Sequence, residues 1–241
     1  MSLNNSSTKL WAIIPAAGAG RRMGAGTPKQ YLTLGNKTVL QHSLDAISAD
    51  PRIAGIMVAI SAQDEYWQAS ELNIPVYTTE GGNERCDSVL NALHALTPYA
   101  DNNDWVLVHD AARPCLRSED LSLLIDQLIN DPVGGILALP VRDTIKQSSS
   151  QSSAGHQPID KTIDRSHLWH ALTPQMFPYG LLKAALQQAI DAEVVITDDA
   201  SAMEYCGYQP RLISGHGDNL KITRNEDLEL ASYYLQQQGR I

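Results

Sequence analysis

Apolar positions along the chain alternate between two rhythms. The run ending at Ile13 and Ile14 is continuous, as in a strand buried on both faces. From Thr38, Val39, Leu40, Ser43, Leu44 and Ile47 fall at helical spacing with Thr38 placed to cap them. Residues 53–61 read as a second buried strand, 64–72 as a short helix, 74–79 as a strand, and 84–96 as a helix carrying Val89, Leu90, Leu93 and Leu96 on one face. A strand at 105–109, a helix with Leu121, Leu124, Ile125, Leu128 and Ile129 in register, and a strand at 134–141 follow. This β-α-β alternation predicts an α/β fold with a doubly wound, mostly parallel sheet, which binds ligands at the carboxyl ends of its strands.

The rhythm stops at Lys146, where KQSSSQSSAGHQP has no apolar periodicity. Two short β-like runs, 161–165 and 168–173, come next, and residues 142–172 read as an arm projecting from the sheet. Helices are then predicted at 179–190 and after Thr197-Asp-Asp-Ala-Ser, with a strand at 209–213. A last helix opens at Thr223-Arg-Asn-Glu226, a capping-box pattern. The expectation is one domain over 1–241 with the arm as its appendage.

Composition narrows the ligand class. Eighteen Lys and Arg against 27 Asp and Glu give a net charge of −9, and no basic block exceeds two residues. Non-specific nucleic-acid or polybasic membrane contacts are therefore not expected, and an anionic ligand must be captured locally. Cys86, Cys115 and Cys206 are widely spaced and odd in number, so they read as core thiols rather than a disulfide or zinc framework. The N-terminal MSLNNSSTKL lacks a signal-peptide pattern and no stretch of eighteen apolar residues occurs, so a cytoplasmic protein is expected.

That local capture has an obvious candidate in residues 12–31, AIIPAAGAGRRMGAGTPKQY. Glycines at 18, 20, 24 and 26 allow close backbone approach, and Arg21, Arg22 and Lys29 add positive charge, the ingredients of a polyphosphate cradle. Neither a dinucleotide fingerprint, which needs glycine at Met23, nor a P-loop fits. The string AAGAGRRMG…PKQY resembles the nucleotidyltransferase signature, and its double arginine and PKQY resemble the cytidylyltransferases of the non-mevalonate isoprenoid pathway.

Four later stretches resemble the same family: Gly81–Ser88, His109–Pro114, Val141–Thr144 with Thr162–Arg165 and Leu168–Gln175, and Thr197–Ser201 with Asp218–Arg224. The resemblance implies a Rossmann-like nucleotidyltransferase fold and transfer of CMP from CTP to a methylerythritol phosphate, with magnesium carried by the nucleotide. It implies catalytic roles for Arg22, Lys29, Arg165 and Lys221. Nucleotide contacts would come from Ala16, Ala17, Gly18, Gly82, Asn83 and Ser88. Asp110, Arg113, Thr144, Thr173 and Thr197 would serve the second substrate, with Asp110 a possible magnesium contact. The family often has an acid where Asn83 stands. A homodimer clasped through the 142–172 arm is likewise implied.

Taken alone, Asp110 and Arg113 could equally form a structural ion pair, and His109 reads as a packed strand residue. His167 and His170 have no acidic or cysteine partner at ligand spacing, so no metal site is expected there. Three other readings remain open at this point: a cytidylyltransferase for another polyol phosphate such as ribitol 5-phosphate, a nicotinamide oxidoreductase disfavoured by Met23, and a non-catalytic nucleotide-binding module.

Overall fold

The computed structural model describes residues 8–18, 27–69, 71–149 and 157–241. Strand β1 (Leu10–Pro15) leads, through a 3-10 turn at Lys29–Tyr31 and the small strands β2 (Thr33–Leu34) and β3 (Lys37–Thr38), into α1 (Val39–Ser48). The chain continues through β4 (Ile53–Ile60), β5 (Val76–Glu80), α2 (Arg85–Ala95), β6 (Trp105–Val108), α3 (Ser118–Leu128) and β7 (Gly135–Pro140). It closes with β8 (Ile145–Ser148), β9 (Ile159–Ile163), β10 (Trp169–Pro178), α4 (Tyr179–Asp191), α5 (Asp199–Tyr205), β11 (Arg211–Ser214) and α6 (Asn225–Gln237).

Seven strands form the central sheet in the order β11-β7-β10-β6-β1-β4-β5. β1 pairs parallel with β4 and β6, β4 with β5, and β7 with β11; β10 alone runs antiparallel, between β6 and β7. The side chains of β1 divide by the period of two: Leu10, Ala12 and Ile14 join the core against α1 and α3, while Trp11 and Ile13 join the core against α2, α4 and α5. A third core, with Val39, Cys115, Ile222, Ala231 and Leu235, seats α6 beside the carboxyl end of the sheet. Cys115 is buried, Cys86 and Cys206 half-buried, and all three are free thiols.

Thr38 caps α1 as its position predicts: Gln41 N donates to Thr38 Oγ1 (3.2 Å) and Thr38 N donates to Gln41 Oε1 (2.8 Å). Three expectations change. No helix forms among the described residues of 61–72, because Asp64 Oδ1 accepts from the amides of Tyr66 and Trp67, both 2.9 Å, and so offers the backbone an alternative to helical bonding. The reciprocal carboxylate at the start of α6 is Asp227, not Glu226; it accepts from Thr223 N, Thr223 Oγ1 and Arg224 N. Residues from Trp169 onward leave the projecting segment and enter the main sheet, because Trp169–Ala171 pair with β7 and the buried Met176 and Phe177 continue the strand against β6. β8 and β9 form a hairpin outside that sheet. Residues 150–156 of the loop joining them lie outside the described residues.

The turn into β7 depends on one glycine. Gly134 has φ of 100°, and a Cβ there would stand 2.2 Å from the Met176 carbonyl oxygen. Gly134→Ala is expected to destabilise the fold by more than about 1 kcal/mol. A urea unfolding midpoint equal to that of the wild type would contradict this account of the β7–β10 junction.

Candidate active site

The pocket lies at the carboxyl ends of β1 and β6 and the amino end of α2. Ala16, Ala17 and Gly18 line it as β1 runs out, with Lys29, Gln30, Gly82, Asn83, Glu84, Arg85, Ser88, Asp110 and Lys221 around them. Its position is where a sheet of this winding leaves a crevice. Arg22, with the rest of 19–26, lies outside the described residues.

Local chemistry builds each wall. The buried Gln30 amide donates to the carbonyls of Ala16 (2.7 Å) and Gly18 (3.1 Å), fixing the exit of β1. Gly81 carries no Cβ because one would meet Ala17 Cβ at 2.3 Å, so the α2 loop and the β1 exit touch backbone to side chain. Gly82 N donates to Ser88 Oγ (3.0 Å), which donates in turn to Glu84 O (3.1 Å). Ser88 therefore holds the turn that presents Gly82 and Asn83. Lys29 Nζ donates to the carbonyl of Ile222 (3.0 Å), tying the 3-10 turn to the segment that carries Lys221.

Asp110 is the electrostatic centre. It is 6% exposed, and three cations converge on it: Arg85 Nε reaches Oδ1 at 2.9 Å, Lys221 Nζ reaches Oδ2 at 2.8 Å, and Arg113 Nε lies 3.5 Å from Oδ2. Burial opposes its ionisation, but Arg85, Lys221 and Arg113 outweigh that and hold its carboxyl well below the usual carboxylate range. Arg113 is buried, which lowers its own pKa, and its Nη1 donates to Asn219 O at 2.7 Å. Arg85 turns its other end to Asp199, which is fully buried; Nη2 donates to Oδ2 at 2.8 Å.

His109 and Thr173 form the layer behind. Asp110 N donates to Thr173 Oγ1 (3.1 Å), the Thr173 hydroxyl stands 3.0 Å from His109 Nδ1, and His109 Nε2 is 3.0 Å from Arg113 O. Since that carbonyl can only accept, Nε2 carries the proton and Nδ1 accepts from Thr173. His109 is thus a packed, neutral strand residue: burial pushes its pKa down to about 4.

The structure gathers Ala16, Ala17, Gly18, Lys29, Gly82, Asn83, Ser88, Asp110 and Lys221 around the pocket, with Arg113 and Thr173 packed against Asp110 from behind. It does not bring Thr144, Arg165 or Thr197 to the pocket lining. Thr144 and Arg165 are exposed at the foot of the β8–β9 hairpin, where Arg165 Nη1 donates to the carbonyl of Arg142. Thr197 is exposed just before α5, its amide donating to Ser201 Oγ at 3.1 Å. Arg85, Asp199 and Gln30 had no role assigned from sequence. Arg85 gave one readable signal: a cation in the first turn of a helix opposes the macrodipole and needs a compensating anion.

The family model IspD, 2-C-methyl-D-erythritol 4-phosphate cytidylyltransferase, matches residues 10–237. A curated protein of that name from Photobacterium profundum is 51% identical over 231 residues, which is 95% of this chain and 97% of the relative. A crystal structure of a 4-diphosphocytidyl-2C-methyl-D-erythritol synthase superposes with a TM-score of 0.80 at 39% identity, covering 95% of this chain and 99% of the other. The Francisella tularensis 2-C-methyl-D-erythritol 4-phosphate cytidylyltransferase gives 0.79 at 34% identity, covering 95% and 100%.

The neutral His109 has a measurable consequence for stability. Its folded pKa of about 4 lies below the roughly 6.5 of an unfolded histidine, so the unfolded chain binds the proton first as pH falls. Its contribution is complete above about pH 6.5 and is lost progressively towards pH 4, amounting to about 2 kcal/mol between pH 7 and pH 5. His109→Gln is expected to remove that part of the slope of unfolding free energy against pH. An unchanged slope would contradict the buried, uncharged imidazole.

Proposed function

The chain belongs to the 2-C-methyl-D-erythritol 4-phosphate cytidylyltransferase family, and on that premise we propose how its pocket transfers CMP from CTP to methylerythritol phosphate with release of pyrophosphate. One observation carries the reading: Lys29 and Lys221 flank a pocket floored by the β1 exit, with Asp110 holding Lys221 at its edge.

The acceptor's phosphate oxygen attacks the α-phosphorus of CTP, and the bond from that phosphorus to the bridging oxygen of the departing pyrophosphate breaks. A phosphate monoester is already ionised and needs no general base, which suits a pocket whose nearest histidine is neutral and committed to Thr173 and Arg113. The task is to align two anions and to stabilise the charge that grows on the leaving group. Lys29 and Arg22 serve the triphosphate; Lys221 and Arg165 hold the attacking phosphate. Backbone groups of Ala16, Ala17 and Gly18 follow the phosphates, while Gly82 and Asn83, presented by Ser88, receive the cytidine. Arg113 holds Asp110 from within, and Thr173 orients its backbone.

Magnesium belongs to this reading as the counter-ion of CTP. Both oxygens of Asp110 are engaged by cations, and among the described residues no three His, Cys, Asp or Glu side chains form a group able to hold a metal. Such an ion would take most of its ligands from phosphates and water, and Asp110 on the pocket lining would offer a carboxylate to hydrogen-bond that water. The exposed Thr144 and Arg165 reach a pocket when the β8–β9 hairpin of one protomer clasps a second, completing the acceptor site with Thr197 at its margin. No described helix is long and apolar enough to cross a membrane; a cytoplasmic homodimer is the proposed working form.

Pyrophosphate release with magnesium, crossing CTP, UTP, ATP and GTP against methylerythritol phosphate, ribitol 5-phosphate, glucose 1-phosphate and no acceptor, tests the reaction. Release confined to CTP with methylerythritol phosphate is expected. Use of ribitol 5-phosphate instead would keep the chemistry and overturn the acceptor, and no release in any pair would overturn transfer itself. Lys29→Ala is expected to lower turnover by roughly 10²- to 10³-fold, the cost of one preorganised donor, with the fold intact. Turnover near that of the wild type would remove Lys29 from the mechanism.

A further inference from the structure

We propose that Arg85 is a positioning residue which, anchored by Asp199, fixes the Asp110 carboxylate so that Lys221 is held at the angle the attacking phosphate requires; the proposal rests on the transferase reading above. The geometry is a relay of ion pairs. Asp199 Oδ2 takes Arg85 Nη2 at 2.8 Å, Arg85 Nε takes Asp110 Oδ1 at 2.9 Å, and Asp110 Oδ2 takes Lys221 Nζ at 2.8 Å. Asp199 Oδ2 and both oxygens of Asp110 are each engaged by a cation, Asp110 Oδ2 by Lys221 and Arg113 together. With Oδ1 occupied by Arg85, the plane of the Asp110 carboxylate is set, and Oδ2 is left to face Lys221 and Arg113.

Two features argue against Arg85 being incidental. It stands at the first position of α2, where the helix dipole disfavours a cation, so its place there has to be secured by other charges. Asp199 is 0% exposed, burial raises its pKa against the pull of Arg85, and its Oδ1 is buried without a hydrogen-bond partner among the described residues. A half-satisfied buried carboxylate is costly to fold and calls for an explanation. The anchor for Arg85 supplies one, and the first turn of α5, where an anion suits the dipole, is the place to put it.

Arginine is also the side chain this task needs. Its planar fork bonds two carboxylates at fixed angles, whereas a lysine at the same place would be a single mobile charge. Lys221 is the opposite case. A flexible ammonium can exchange Asp110 for a phosphate oxygen without a change in the backbone, so the arginine frame stays while the lysine serves the substrate.

A double-mutant cycle on the full-length protein, with CTP, methylerythritol phosphate and magnesium, tests this. Arg85→Gln is expected to lower kcat roughly 10- to 100-fold, the cost of a misplaced reacting group, with the KM for CTP within about threefold of wild type, and Arg85→Lys is not expected to restore it. If Arg85 acts through Asp110 and Lys221, adding Arg85→Gln to Lys221→Ala should cost little more than Lys221→Ala alone. Should Arg85→Gln fail to fold, Asp199→Asn, which keeps an acceptor and removes the charge, replaces it in the cycle, with a smaller loss of kcat that also vanishes in the Lys221→Ala background. Losses that multiply independently, rescue by lysine, or a defect confined to the KM for CTP would overturn the proposal while leaving the transferase reading intact. An inactive wild type would overturn both.

Discussion

One buried carboxylate sets the arrangement of this active site. Asp110 brings Arg85, Arg113 and Lys221 to a single point, although the three come from α2, from the loop after β6 and from the segment before α6. Without it, two unit charges about 5 Å apart in a partly buried setting repel by about 3 kcal/mol, so the cations could not stay together. The net charge of −9 makes the point sharper. In an acidic protein, an anion-binding pocket exists only where the fold concentrates cations against the average, and Asp110 is what allows that concentration before a substrate arrives.

The fold serves this constraint by stacking three loop systems over adjacent strand ends. β1 and β6 are neighbours in the sheet, so Ala16–Gly18 and Asp110 emerge side by side. β10 returns antiparallel next to β6 and delivers Thr173 to the Asp110 amide and to His109. The segment ahead of α6 is pinned twice, by Ile222 N donating to Ala112 O and by Lys29 donating to Ile222 O, which fixes the backbone immediately after Lys221. Buried polar groups in such a layer are stabilising only when their partners are supplied; here the Asp110 amide, Arg113 Nη1 and the Asn219 side-chain amide each have an acceptor, while Arg113 Nε has only the 3.5 Å approach to Asp110 Oδ2.

Much of this was legible in the sequence because it rests on local chemistry. The apolar runs at 10–15, 53–60 and 105–108 are strands because both of their faces are buried, and Thr38 caps α1 because its hydroxyl is three residues from a free amide. Lys29 stood out as a cation beside glycines and Asp110 as a carboxylate at a strand's carboxyl end, whereas Lys221 was singled out only by the family resemblance. What could not be read depends on contacts between distant positions. The helical spacing over 64–72 gave no sign that Asp64 would spend its carboxylate on two backbone amides and on Tyr31. Arg85 and Asp199 lie 114 positions apart, and no local pattern joins them. Thr144 and Arg165 are exposed at the foot of the β8–β9 hairpin, away from the pocket lining, and only the proposed clasp of a second protomer would bring them to it.

Asp110 organises cations rather than holding substrate directly, and one comparison separates those roles. CTP and methylerythritol phosphate binding to Asp110→Asn should be measured by calorimetry alongside its turnover. Removal of a negative charge from an anion pocket should leave both affinities equal to or tighter than wild type, while turnover falls by roughly 10²-fold because the cations are no longer aligned. Turnover close to wild type, or a loss explained wholly by weaker binding, would contradict the central place given to this carboxylate.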